Sequence, residues 1–231
     1  MKTIIIGGGD IDPAFLKKVL DENKESSIIA ADRGAEALYL LGRKPHYLLG
    51  DFDSASPQVK NALEKAGADV TVYPAVKDFT DSEAALIRAL ELGSREILLL
   101  GMTGGRLDHF MANVHNLLIP FRKGVRAWML DPQNCITLIG TEYENGQENK
   151  GGKSFAVTEF SKPETFGKYV SILPLFDKAE GVTLTGFKYP LKKATVIKGS
   201  SLCVSNEITE EKAVIEIEKG VMILTLSKDR K

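Results

Sequence analysis

A chain of 231 residues, 43% hydrophobic and 26% charged with a formal net charge of -1, has material for one large domain or two smaller ones, and its charge balance does not invite nucleic acid. No stretch approaches the roughly 18 apolar residues of a membrane helix. The opening Met1-Lys2-Thr3-Ile4-Ile5-Ile6 meets Gly7-Gly8-Gly9 too soon for a signal-peptide core, so no membrane partner and a cytoplasmic location are expected.

Residues 1 to about 120 alternate short apolar runs with amphipathic segments, the grammar of a mostly parallel sheet covered by helices. Strands are predicted at 3–6, 28–31, 47–49, 70–73 and 97–100, with helices at 13–21, 35–41, 57–66, 81–92 and 107–118. Pro57 after Ser56 suits a first helical turn, and Thr80 with Glu83 forms a capping-box pair. Gly67 and Gly93 mark helix ends. After Pro120 helical periodicity nearly vanishes, and strand-like runs follow at 125–130, 135–139, 169–173, 182–184, 194–197, 202–205, 213–217 and 221–226. This pattern predicts an all-β sandwich or jelly-roll-like second domain, with domains at 1–123 and 124–231, although the run 125–130 could join either sheet. The polar stretch 142–153 reads as a mobile loop. Cys135 and Cys203 each sit in a strand-like run, outside any C-x-x-C pair, and read as structural thiols.

In open α/β sheets ligands bind beyond the carboxyl ends of the strands. Those positions are Gly7-Gly8-Gly9-Asp10, Asp32-Arg33-Gly34, Gly50-Asp51-Phe52-Asp53-Ser54, Lys77-Asp78-Phe79-Thr80-Asp81 and Gly101-Met102-Thr103-Gly104-Gly105-Arg106-Leu107-Asp108. An isolated Asp after a strand is usually a turn or cap residue. Carboxylates converging from Asp32, Asp51, Asp53, Asp81 and Asp108 would instead repel one another unless a cation sat among them. Oxygen-only ligation by a few carboxylates, completed by waters and substrate phosphates, is how Mg²⁺ is usually held. Gly104, Gly105 and Arg106 before a helix start suit a phosphate, through close backbone approach and a forked donor. Gly7-Gly8-Gly9 fits neither a Walker A loop nor G-x-G-x-x-G and reads as a close-approach turn near a nucleotide. Arg33 and Lys77 could neutralise phosphate charge. His109 reads as a helix residue rather than a base, and Trp128 as core.

Two other readings compete. Asp51-x-Asp53 after a strand could be the nucleophile pair of a haloacid-dehalogenase-like phosphatase, but Ala55 stands where that family needs Thr or Val. A nucleotide sensor without catalysis would not need so many metal-directed carboxylates.

With these motifs in order and at this spacing, the sequence resembles the thiamine pyrophosphokinases of bacterial type. The resemblance rests on Ala31-Asp32-Arg33-Gly34-Ala35, Gly50 to Ser54, Lys77 to Asp81 and Gly101 to His109 with Asn113. It continues through Ser171-Ile172-Leu173-Pro174-Leu175, Gly186-Phe187-Lys188-Tyr189-Pro190-Leu191 and Ser205-Asn206-Glu207, and so covers nearly the whole chain. It implies an α/β nucleotide domain, a C-terminal β-sandwich and a homodimer with thiamine at the subunit interface. It also implies Mg²⁺-dependent transfer of the pyrophosphoryl group of ATP to thiamine, giving thiamine diphosphate and AMP. By position it implies Asp51, Asp53 and Asp81 as metal ligands, with Asp32 close by. Asp53, Asp81, Arg106 and Asp108 would serve the reaction; Asp32, Arg33, Lys77, Thr103, Gly104, Gly105, Arg106 and Asn113 would contact nucleotide. Ser205 and Asn206 would face thiamine, Phe187 and Tyr189 are candidates to hold its rings, and Asp81 or Asp108 could accept the hydroxyl proton.

Overall fold

The computed structural model describes residues 1–51, 56–74, 78–141, 155–162 and 165–230, and the backbone alone of 143, 144, 147 and 148. Two compact units emerge, residues 1–120 with 125–132 and residues 121–124 with 133–231. The first contains β1 (Lys2–Ile6), α1 (Pro13–Glu22), β2 (Ser27–Ala31), α2 (Gly34–Leu40), β3 (Tyr47–Gly50), α3 (Pro57–Lys65), β4 (Asp69–Val72), α4 (Asp81–Glu91), β5 (Glu96–Leu100) and α5 (Leu107–Asn116). After α6 (Leu118–Arg122) the chain returns to it in β6 (Arg126–Leu130). The strands lie in the order β4-β3-β2-β1-β5-β6, each pairing parallel.

Parallel strands covered on both faces read as continuous apolar runs rather than as alternation, and Ile4, Ile5 and Ile6 are all fully buried. On one face Leu16, Leu20, Leu38 and Leu63 from α1, α2 and α3 pack with Ile4, Ile6, Ala30, Leu48 and Leu100. On the other, α4 lies against β1, β2 and β3 through its buried Ala85, Leu86 and Ala89. Each such large side chain contributes roughly 1.5–3 kcal/mol by leaving water. Two helix starts, those of α1 and α4, are capped as their residue types dictate. Asp12 Oδ1 accepts from Phe15 N–H at 2.7 Å ahead of Pro13, and Thr80 Oγ1 accepts from Glu83 N–H at 3.2 Å.

The helix predicted at 107–118 breaks at Leu117 and resumes as α6. Pro120 accounts for it, since a proline ring offers no N–H to the carbonyl four residues back and clashes with it. The run 125–130, open between two sheets on sequence, pairs in parallel with β5. The α/β unit therefore runs past residue 123 to Pro132.

The second unit holds β7 (Asn134–Thr141), β8 (Tyr143–Glu144), β9 (Gln147–Glu148), β10 (Val157–Ser161), β11 (Tyr169–Pro174), β12 (Lys178–Thr185), β13 (Leu191–Ile197), β14 (Asn206–Glu207), β15 (Lys212–Glu216) and β16 (Gly220–Ser227). Antiparallel pairings order one sheet β14-β11-β16-β7 and another β10-β15-β12-β13. The stretch expected as a loop carries the short β8–β9 pair. Residues 202–205, expected as a strand, form turns instead. Their alternation is strand-like, but Ser205 turns the backbone out of extended geometry at φ +57°. Ile172 N–H still donates to Cys203 O at 3.1 Å, which tethers that segment to β11. Cys135 and Cys203 are buried and form no disulfide.

Candidate active site

Strand order decides where the first unit can bind anything. From β1 the chain proceeds outward through β2, β3 and β4, then crosses back to place β5 on the other side of β1. Connections leaving β1 and β5 diverge at this switch point and open a crevice beyond their carboxyl ends. A cavity of about 440 Å³ occupies it.

The glycine run after β1 lets the two strand ends close on each other. Gly7 N–H donates to Leu100 O at 2.8 Å and Gly9 N–H to Gly101 O at 2.9 Å. A Cβ on Gly9 would stand 2.6 Å from Gly101 O, and one on Gly101, whose φ is +70°, 2.6 Å from Gly7 O. Neither position has room for a side chain, so the crevice floor is bare backbone.

Acidic groups arrive from separate strand ends. Among the described residues, Asp10, Asp32, Asp51 and Asp81 line this cavity. Asp32 follows β2 at φ +48°, a conformation that Asp tolerates better than bulkier residues, with its N–H bonded to Leu49 O at 2.8 Å. Asp81 opens α4 directly after its Thr80 cap, where the helix dipole favours negative charge. No three His, Cys, Asp or Glu side chains among the described residues form a ready-made metal cage. The donor set nevertheless fits Mg²⁺, which takes one or two protein carboxylates and completes its shell with water and phosphate oxygen.

Basic groups and donors face the same space through Arg33 after β2, and through Gly104, Gly105 and Arg106 after β5. Arg106 grips Asp108 in a fork, Nε donating to Oδ1 at 3.1 Å and Nη2 to Oδ2. That hydrogen bond holds the Asp108 carboxyl down at about 2, and Asp108 in turn raises the Arg106 guanidinium. Asn113, buried on α5, donates Nδ2 to Met102 O at 3.2 Å and ties the loop to the helix behind it.

The structure thus gathers Asp32, Arg33, Asp51, Asp81, Gly104, Gly105, Arg106 and Asn113 around one cavity, whereas Thr103 and Asp108 stand outside its lining. Asp53 and Lys77 lie outside the described residues. Asp10, Ser82 and His109 also line the space. Asp10 had a legible signal, being the first residue after the glycine run.

In the second unit, Ser205 is exposed and its N–H donates to Ser171 Oγ at 2.9 Å. Asn206 is 4% exposed and spends its amide on backbone. Its Oδ1 accepts from Tyr189 N–H at 3.0 Å and Glu207 N–H at 2.9 Å, and its Nδ2 donates to Tyr189 O at 2.9 Å. The side chain expected to face a ligand thus bonds the backbone of Tyr189 and Glu207. The ring it positions, Tyr189, is 57% exposed. Phe187 is buried edge-to-face against Phe160, with ring centroids 6.3 Å apart, and has no free face to offer.

Comparison with known proteins bears on both units. The family model described as the thiamin pyrophosphokinase catalytic domain matches residues 19–129, and the one described as the thiamin pyrophosphokinase vitamin B1 binding domain matches residues 157–222. Thiamine pyrophosphokinase of Bacillus subtilis (strain 168) is 34% identical over 233 residues, spanning 99% of this chain and 100% of that protein. Its crystal structure is similar at a TM-score of 0.83 with 31% identity, covering 100% of both chains. The Geobacillus thermodenitrificans structure follows at a TM-score of 0.81 and 31% identity, covering 100% of this chain and 99% of that one. With both family models matched in order and a relative aligned end to end, the chain belongs to the thiamine pyrophosphokinases, a family of enzymes.

Proposed function

We propose that the protein transfers the pyrophosphoryl group of ATP to the hydroxyl of thiamine, giving thiamine diphosphate and AMP. The observation that carries this reading is the crevice at the β1/β5 switch point, where carboxylates from separate strand ends face Arg33, Arg106 and a glycine floor. Such a cavity suits a polyphosphate with its cation better than it suits an anion alone.

In this reading Asp51, Asp53 and Asp81 would hold Mg²⁺, with Asp10 and Asp32 in the same cavity lining as Asp51 and Asp81. A cation held there would supply charge neutralisation to the triphosphate and so lower the barrier to attack. Arg106 grips phosphate oxygens through the fork it now offers Asp108, Arg33 and Lys77 add positive charge, and Gly104 and Gly105 admit the chain close to the phosphates. Asn113 keeps the loop in place through Met102 O. The thiamine oxygen attacks the β-phosphorus in line, its bond forming as the bridge to the α-phosphate breaks, and AMP departs with that bridging oxygen. Of the two carboxylates considered as proton acceptor, Asp81 lines the cavity while Asp108 stands outside the lining, which favours Asp81.

Thiamine is assigned to the second unit, with Ser205 and Tyr189 as its contacts and Asn206 positioning Tyr189. Exposed Leu173, Tyr189, Leu202 and Val204 lie around the segment tethered to β11, an apolar surface that suits a second copy of the chain and hence a homodimer. Buried cysteines without a disulfide suit the reducing cytoplasm, and among the described residues no helix is long and apolar enough to cross a membrane.

The test mixes protein, thiamine, ATP and Mg²⁺ and separates the products. Thiamine diphosphate with equimolar AMP is expected, while ADP or thiamine monophosphate would overturn the β-phosphoryl mechanism.

A further inference from the structure

Another cavity, of about 350 Å³, belongs wholly to the second unit and shares no lining residue with the crevice. It forms at the corner where β12 meets the start of β16. Glu180 and Lys219 bridge there, Glu180 N–H donating to Lys219 O at 2.7 Å and Lys219 N–H to Glu180 O at 3.1 Å. Gly220 follows at φ +109°, and a Cβ on it would stand 2.9 Å from Lys178 O, so this part of the lining is bare backbone. The turn between β11 and β12 folds alongside, since Leu175 N–H donates to Val221 O at 3.0 Å. Leu175 is buried, whereas the next residue, Phe176, is 41% exposed and belongs to the cavity lining.

The charges of this lining are unbalanced. Among the described residues it carries Arg122 at the end of α6, Lys178 at the start of β12 and Lys219 before β16, against the one carboxylate of Glu180. Both ammonium groups share that carboxylate: Lys178 Nζ donates to Glu180 Oε1, and Lys219 Nζ lies 3.9 Å from Oε2. The hydrogen bond from Lys178 holds the Glu180 carboxyl below its ordinary range, so it counts as a full negative charge. Two positive charges are left in excess, and like charges collected from separate segments favour an anion among them. We infer that this cavity is a second ligand site, which takes a phosphate monoester of an aromatic alcohol, with Arg122, Lys178 and Lys219 on the phosphate and Phe176 against the ring. A phosphate monoester carries about −1.5 to −2 charges at neutral pH, which matches the excess. Arg122 supplies a planar fork suited to phosphate oxygens, and Lys178, with three N–H donors, gives one to Glu180. The Phe176 ring and the aliphatic stems of Arg122 and Lys178 offer apolar surface to a flat body. The volume falls within the roughly 300–1,000 Å³ of small-molecule sites.

The experiment titrates the full chain with phenyl phosphate, inorganic phosphate and phenol while backbone amides are followed by NMR. Binding at Lys178, Gly220 and Val221 is thereby read apart from binding at Gly104 and Gly105 of the crevice. Phenyl phosphate should shift the amides of Lys178, Gly220 and Val221 saturably, with an affinity at least about fivefold above that of inorganic phosphate or phenol. Phe176→Ala should weaken phenyl phosphate about fivefold and leave inorganic phosphate within about twofold of the parent. Arg122→Gln combined with Lys219→Gln should weaken both phosphates about tenfold or more. All three side chains are exposed, so the variants should melt with the parent. Phenol binding as well as phenyl phosphate would overturn the inference by removing the cations from it, and inorganic phosphate binding as well would do so by removing the ring. Shifts confined to Gly104 and Gly105 would overturn the site as a whole. No probe is a nucleotide or thiamine, so the outcome is independent of the reaction proposed above.

Discussion

Arg106 spends both arms of its guanidinium fork on Asp108, two residues away and, like it, largely exposed. A pair so close in sequence and so open to solvent adds little to the fold. What it does is hold the guanidinium, which lines the crevice, in one orientation.

That pair predicts a titration. Asp108 is held at about 2 against an ordinary 3.8, so whatever it contributes is fully present above 3.8 and is lost as pH falls through about 2. The carboxyl carbon of Asp108, followed by NMR, should show a midpoint near 2, and in Arg106→Gln the midpoint should return toward 3.8. A midpoint that does not move in the variant would remove Arg106 as the cause.

Arg106→Gln should also lower turnover by about 10² to 10³-fold while leaving the thermal midpoint nearly unchanged, since a forked cation aimed at developing phosphate charge is lost but no buried group is. Arg106→Lys should recover a minor part, because an ammonium supplies charge without the fork. Steady-state rates beside a melting curve separate the two effects.

Asp53→Asn and Asp51→Asn should each reduce turnover by at least about 10²-fold and raise the Mg²⁺ concentration needed for half-maximal rate. Asp53 lies outside the described residues, so this expectation stands on its place in the motif after β3. A variant with the parent's rate at limiting Mg²⁺ would leave the ligand set.

Asn206→Ala should cost about 1–3 kcal/mol of stability in urea denaturation, because the backbone groups of Tyr189 and Glu207 lose their buried partner. The KM for thiamine should rise more than kcat falls, since the exposed Tyr189 ring loses its fixed position. If stability falls and the thiamine KM does not move, Asn206 serves the fold alone.

Gly34→Ala should be among the most damaging small substitutions. A Cβ there would stand 2.0 Å from Ile6 O, against the buried end of β1, and the backbone would have to separate. A loss of about 1–3 kcal/mol or more is expected by denaturation. Gly42→Ala, where a Cβ meets open space, should cost about 1 kcal/mol or less through its φ of +64°.

Much of this protein was legible because its signals are local. Thr80 before Glu83, Pro57 after Ser56 and the apolar runs of β1, β2 and β5 each report a backbone preference that neighbouring residues impose. The errors have the opposite origin. The run 202–205 alternates like a strand, yet Ser205 leaves extended geometry and one bond from Ile172 stands where a ladder was expected. Residues 126–130 pair in parallel with β5, a neighbour that no local signal names.

The site divides along the same line. Sequence alone determined the chemical inventory, since carboxylates, glycines and basic groups directly after apolar runs must stand at the carboxyl edge of a parallel sheet. It could not determine which of them share a space, because that depends on the crossing that sets β5 beside β1 rather than beside β4. Tertiary structure brought Asp10 into the acidic lining, left Thr103 and Asp108 outside it, and set the Asn206 amide against the backbone of Tyr189. The reason is physical: residue type fixes what a side chain can donate or accept, while packing fixes which partner reaches it first.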